Sequence, residues 1–150
     1  MKINIMTLDD KAVVPQYAKQ GDAGMDLTAT SRDFDKYGNV VYGTGLAMEI
    51  PEGYVGLIFP RSSNSKKDLY LTNHVGVVDS GYRGEIMFKF RPNKKSAQVN
   101  GEDDGFKAIY EVGERVGQMI IMPYPQIEFN PVLVLSDSDR GDGGFGSSGK

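Results

Sequence analysis

The apolar residues of this chain come in short runs, and none keeps a helical period for as long as about ten residues. Gly, Pro, Asn and Asp separate the runs, as turn residues separate strands. The candidate strands are Ile3–Leu8, Leu46–Ile50, Tyr54–Phe59, Leu69–Thr72, Val75–Val78, Glu85–Phe90, Gln118–Pro123 and Val132–Leu135. Within Glu85–Arg91 (EIMFKFR), Ile86, Phe88 and Phe90 fall on one face, the alternation of a half-buried strand. Ser62–Lys67 has room for one helical turn with a serine cap. Many short strands with turn signals between them predict an all-β domain: an antiparallel sandwich, a jelly roll or a barrel. With 150 residues and no internal repeat, the chain is long enough for one domain with a substantial core.

The last eleven residues, Arg140–Lys150 (RGDGGFGSSGK), cannot contribute to such a core. On their own they are expected to form a flexible arm. Their chemistry nevertheless suits a ligand. Glycine backbone approaches an anion closely, serines add hydroxyl donors, and Arg140 adds a fixed cationic fork. Phe145 is a lone apolar ring among them. Such an arm is expected to order over a ligand that has both phosphates and a ring. Gly144–Lys150 (GFGSSGK) also has the spacing of a phosphate-binding P-loop. That motif needs a following helix, which the sequence does not supply, so the match is accidental.

Composition narrows the chemistry. There is no cysteine, which excludes disulfides, thiolate metal sites and cysteine nucleophiles. A single histidine, His74, leaves no multi-histidine metal cage and disfavours a histidine-based triad. A metal, if used, is then a hard cation held by oxygens, with Mg²⁺ the natural choice. A net charge of −3 argues against general nucleic-acid binding but leaves room for an anionic substrate held by local arginines. No run approaches transmembrane length and MKINIMTLDD lacks a signal-peptide pattern, so a cytosolic location is expected.

Four internal segments concentrate the reactive side chains. Gly76–Glu85 (GVVDSGYRGE) reads as a hairpin tip bearing Asp79, Tyr82 and Arg83: a candidate base, a flat stacking face and a cation. The plain alternative is a turn capped by Asp79 with a surface Arg83–Glu85 pair. Pro60–Ser65 (PRSSNS) follows an apolar strand and offers an arginine and hydroxyls, either as a phosphate seat or as an ordinary helix cap. Ala23–Leu27 (AGMDL) sets Asp26 between apolar neighbours, where a carboxylate needs an arginine, a metal or metal-bound water as partner. Gly113–Gln118 (GERVGQ) leads into an apolar strand with Gln118 at its entrance, free to serve a phosphate or the backbone.

Taken in order, AGMDL, PRSSNS, GVVDSGYRGE, GERVGQ and RGDGGFGSSGK resemble the five motifs of the trimeric dUTPase family, over Ala23–Lys150. Asn64 and Ser148 stand where that family often has other residues. The polar excursion Asn93–Lys107 (NKKSAQVNGEDDGFK) is longer than the family's usual turn. It reads first as a solvated loop and second as a surface for a protein partner.

The resemblance implies a distorted jelly-roll or β-barrel of short antiparallel strands over residues 1–139, with 140–150 as a mobile arm. It implies hydrolysis of dUTP to dUMP and pyrophosphate with Mg²⁺, keeping uracil out of DNA. Asp79 would be the base that activates the attacking water, and Asp26 would touch Mg²⁺ through bound water. Arg61, Ser62, Ser63 and Gln118 would hold phosphates. Asn73, Gly76 and Val78 would present backbone to uracil, with Tyr82 beneath the deoxyribose. From the arm, Phe145 would stack on uracil, while Arg140 with the Gly146 and Ser147 backbone would meet the phosphates. The family's sites lie between subunits of a homotrimer. A dCTP deaminase shares the fold, but Asp79, Tyr82 and the complete glycine-rich arm fit the hydrolase better.

Overall fold

The computed structural model of the chain describes residues 1–92, 109–144 and 146. The excursion Asn93–Lys107, Phe145 and Ser147 lie outside the described residues.

The strands are β1 (Asn4–Thr7), β2 (Met25–Thr28), β3 (Ser31–Phe34), β4 (Val40–Gly43), β5 (Leu46–Glu49) and β6 (Tyr54–Phe59). They continue with β7 (Leu69–Leu71), β8 (Gly76–Val78), β9 (Met87–Pro92) and β10 (Arg115–Pro123). A single 3-10 turn, Ser62–Lys66, follows β6. The sheets run β2-β10-β6-β8 and β3-β4-β9-β7, with a small β1-β5 pair beside them. Each pairing is antiparallel. This is an all-β architecture, as the short-run pattern predicts, and among the alternatives it left open it is the jelly roll that the resemblance implies.

Both large sheets feed one core. Leu27, Ile58, Val116 and Met119 come from the first, and Val40, Tyr42, Phe88 and Phe90 from the second. The alternation read from EIMFKFR holds: Ile86, Phe88 and Phe90 are buried while Met87, Lys89 and Arg91 face outward. Close packing of the sheets relies on one missing side chain. A Cβ on Gly117 of β10 would run into the ring of Phe88 on β9. Just before it, the β10–β2 pairing shifts register between Arg115 and Gly117, the local kink of a bulge.

Three strands escape the short-run reading. β3 (SRDF) is an edge strand that exposes Ser31, Asp33 and Phe34 and half-buries only the polar Arg32, so it has no apolar core face to read. β2 and β4 are four-residue strands, too short to show a period clearly. In the other direction, Val132–Leu135 does not form a strand. Its side chains are exposed, Leu133 fully so, and among the described residues its backbone pairs with no strand edge. β-propensity without a neighbouring edge to pair with yields only extended chain.

Gly117→Ala should destabilise the domain by about 1–3 kcal/mol, because the buried Phe88 ring has to leave its rotamer. Urea unfolding measures this directly, and an unchanged midpoint would contradict the close approach.

Candidate active site

Two groups of reactive side chains stand apart on the barrel. The first is built on β10, which runs between β2 and β6. Its register sets Gln118 opposite Asp26 on one side and opposite Phe59 on the other. Arg61, two residues beyond β6, returns over this junction. Its Nε donates to Asp26 Oδ1 at 2.7 Å and its Nη2 to Oδ2 at 3.2 Å. Arg115 Nη1 also donates to Oδ2, at 3.0 Å. Arg61 Nη1 reaches on to Ser63 Oγ at 3.0 Å, and Gln118 Nε2 donates to the Pro60 carbonyl at 3.1 Å. Asp26 is therefore the hub that orients two guanidinium groups. Gly24 lies beside it, and a Cβ there would push the Gln118 amide oxygen out of its place.

The serine cap expected for Ser62–Lys67 does not form. Arg61 is the capping residue, with extended backbone and no side-chain cap bond. The turn is closed instead by the Asn64 N–H donating to the Arg61 carbonyl at 2.9 Å. Ser62 is exposed, and among the described residues its hydroxyl has no hydrogen-bond partner. An arginine fork, a free hydroxyl and a glutamine amide together form a surface suited to phosphate oxygens.

The second group surrounds a cleft of about 300 Å³ lined by Asn73, Gly76, Val78, Tyr82, Glu85 and their neighbours. β8 is the last strand of its sheet, so its outer edge has backbone donors and acceptors with no strand partner. The turn before it is tight. His74 takes φ 60°, and the Val75 N–H donates to the Asn73 carbonyl at 2.6 Å. A non-glycine residue held there stores strain of about 1 kcal/mol or more, which the surrounding fold must impose. After β8, the Tyr82 N–H donates to the Asp79 carbonyl at 3.0 Å and closes the turn that carries Asp79. The Tyr82 hydroxyl donates to the Glu85 carbonyl at 2.9 Å, and its ring covers Gly84, where a Cβ would collide with it. Tyr82 thus has a fixed, partly exposed face on the cleft. Arg83 does not pair with Glu85: it bonds the Ser80 and Tyr82 carbonyls and approaches Glu49, while Glu85 accepts from the Gly45 N–H.

The two groups adjoin where Gly76 stands opposite Ile58, but Asp79 and Arg61 lie toward opposite ends of β6. Gly56 stands opposite Val78, just before Asp79. From Gly56 to the far end of β6 at Phe59 is three residues, roughly 10 Å at about 3.3 Å each, with Arg61 farther still. Arg140, on the arm, is exposed and donates to the Gly143 carbonyl of its own turn at 2.9 Å. Gly146 is exposed, with φ 88°.

For Mg²⁺, the donor set is instructive. No cluster of three or more acidic or histidine residues able to cage a metal occurs among the described residues. Asp26 has both oxygens engaged by arginines. That suits a cation that arrives with phosphates and meets protein through water, the usual Mg²⁺ mode. Arg115 and Gly24 are site residues that went unassigned in the sequence reading, although both lie inside quoted motifs. No helix among the described residues is long and apolar enough to cross a membrane.

Comparison with known proteins gives a consistent answer. The dUTPase family model matches residues 10–149. A deoxyuridine 5'-triphosphate nucleotidohydrolase of Nautilia profundicola is 40% identical, covering 100% of both chains. One of Clostridium acetobutylicum is 36% identical over 99% of this chain and 97% of its own. Among solved structures, a Staphylococcus bacteriophage 80alpha dUTPase variant with dUpNHpp aligns at TM-score 0.83 and 28% identity, covering 99% of each chain. A phage phi11 dUTPase variant, described as coordinating a structural Mg(II) ion, aligns at TM-score 0.72 and 27% identity over 89% of this chain and 98% of its own.

Asp26→Asn should lower stability by about 1–2 kcal/mol, because it weakens a partly buried pair and leaves Arg61 without its counter-charge. Arg115→Gln, at the exposed end of the same network, should cost under about 1 kcal/mol. Urea unfolding of both variants checks the order, and equal losses would contradict the assignment of Asp26–Arg61 as the main contact.

Proposed function

This chain belongs to the dUTPase family and hydrolyses dUTP to dUMP, and we propose that it does so by in-line attack of an Asp79-activated water on the α-phosphorus. The observation that carries this reading is the division of the polar residues into a phosphate-type surface and a cleft along β8, with Asp79 the residue that directly follows that strand. In the reaction, water oxygen bonds to the α-phosphorus as the bond to the bridging α–β oxygen breaks. Pyrophosphate leaves with that oxygen, and the water proton passes to the Asp79 carboxylate. Such chemistry consists mostly of positioning and charge neutralisation, which fits a site without a cysteine or a histidine base. Bound Mg²⁺ supplies charge neutralisation across the phosphates, and Asp26 would hold its water shell.

Arg61, Ser62, Ser63 and Gln118 bind the triphosphate. Gln118 keeps one N–H for this after its bond to Pro60. The outer edge of β8 and its preceding turn, from Asn73 through Gly76 to Val78, recognise uracil by backbone donors and acceptors. Cytosine reverses that pattern and leaves buried groups unpaired, at about 1–3 kcal/mol each. Tyr82, pinned over Gly84, lies under the sugar and excludes a ribose 2′-hydroxyl. Residues 140–150 close over the complex, with Phe145 on uracil and Arg140, Gly146 and Ser147 on phosphates. The product dUMP is a thymidylate precursor, and removing dUTP limits uracil in DNA.

We further assign the working enzyme as a homotrimer whose sites lie between subunits. The separation of Asp79 from Arg61 along β6 supports this, since a protomer alone cannot bring both to one phosphate. The exposed apolar stretch after β10, with Ile127, Phe129 and Leu133–Leu135 uncovered, supports it too.

Pyrophosphate release with Mg²⁺ should occur from dUTP and not from dCTP, dTTP or UTP. In the same assay Asp79→Asn should lower turnover at least about a hundredfold while retaining nucleotide binding. Removing residues 140–150 should impair turnover far more than thermal stability. Near-normal turnover by Asp79→Asn would remove it from the role of base.

A further inference from the structure

Asn64 departs from the residues common at its position in the family, and its surroundings suggest what it does. It is anchored from several directions within the phosphate-facing turn. Its N–H donates to the Arg61 carbonyl, its side-chain amide donates to the Leu69 carbonyl at 2.8 Å, and its carbonyl accepts from the Lys67 N–H at 2.9 Å. Its side-chain oxygen accepts the hydroxyl of Tyr110 at 3.0 Å. Tyr110 is distant in sequence and buried, and neither its position nor its neighbours in the chain mark it as part of a motif.

The backbone of Tyr110 is itself fixed from the core. The Tyr42 hydroxyl donates to the Tyr110 carbonyl at 2.9 Å and accepts from its N–H at 3.0 Å. Arg32 adds a bond to the same carbonyl at 3.2 Å. The Tyr110 ring packs edge-on to Tyr42 and against Phe90, and Lys67 Nζ sits 4.8 Å from its centroid. Burial raises the Tyr110 phenol above its ordinary value, with the Arg61 charge and the Ser63 hydroxyl drawing it back. At neutral pH it therefore stays protonated and can donate. A continuous polar path runs from the core through Tyr110 to Asn64, and thence to Arg61 and Ser63.

We propose that Tyr110 is a positioning residue whose hydroxyl, through Asn64, holds Arg61–Ser63 in the geometry that grips the triphosphate. The inference rests on the assignment of Arg61, Ser62 and Ser63 to the phosphates. It also explains why asparagine is accommodated at position 64: a side-chain carbonyl is needed there to receive the tyrosine.

The test is Tyr110→Phe, which keeps the ring and removes one oxygen. KM for dUTP should rise about three- to tenfold, the value of one hydrogen bond, with kcat nearly unchanged. Affinity for inorganic triphosphate should fall by a similar factor, while affinity for deoxyuridine, which uses the β8 cleft, should stay constant. Asn64→Ala, which also loses the bond to the Leu69 carbonyl, should weaken triphosphate at least as much and deoxyuridine not at all, and the double variant should lose no more than the worse single one. An unchanged KM, parallel losses for triphosphate and deoxyuridine, or additive losses in the double variant would each overturn the proposal. Were the unaltered protein to release no pyrophosphate from dUTP, the catalytic reading would fail. The triphosphate comparison between unaltered protein and Tyr110→Phe would still decide the role of Tyr110.

Discussion

The register of β10 is the constraint on which the phosphate-facing surface depends. This strand lies between β2 and β6, and its pairing sets Gln118 level with Asp26 and Phe59. A slip of one residue would turn Gln118 to the other face and carry Val116 and Met119 out of the core. Gly117 opposes such a slip, because the Phe88 ring fits only against a residue without a side chain. The same packing that joins the two sheets therefore aims the polar groups at the sheet's end. Once Asp26 is in place, its carboxylate orients Arg61 and Arg115, and Arg61 in turn engages Ser63.

The cleft beside β8 follows a different logic. There the important feature is an edge without a strand partner, framed by a strained turn at His74 and a tyrosine held over Gly84. Exposed edges are usually a liability. Here the edge supplies fixed backbone donors and acceptors, the basis on which uracil recognition is proposed. The distance between the two surfaces along β6 is the reason for proposing that a second copy of the chain completes each site. The uncovered apolar segment after β10 is consistent with the same need.

Much of this was legible in the sequence, though unevenly. The core face of β9 could be read because Ile86, Phe88 and Phe90 alternate with polar or exposed neighbours. β3 could not, because an edge strand such as SRDF buries too little to leave a pattern. Val132–Leu135 has strand composition, yet strand formation depends on pairing with an edge, and among the described residues this segment pairs with none. Among site residues, motif order pointed to Asp26, Arg61, Tyr82 and Gln118, and the structure links three of these through β10 and its neighbours. Arg115 was passed over because its partner lies far away in sequence. Tyr110 was less legible still, since its role arises from a contact with Asn64 across 46 residues and from backbone bonds to Tyr42. The strain at His74 gave no sequence signal, as glycine would be the usual residue for that backbone.

The central claim is that each site is assembled from different subunits, with Asp79 of one copy serving Arg61 of another. It is tested most directly by co-assembling two inactive chains, Asp79→Asn and Arg61→Ala, carrying different affinity tags, and assaying the doubly purified mixture for dUTP hydrolysis. Shared sites predict recovered activity, because in a mixed cyclic trimer carrying both tags about one interface in three would unite an intact Asp79 with an intact Arg61. Activity no greater than that of the two parent variants would contradict the claim and place both residues in a site within one chain.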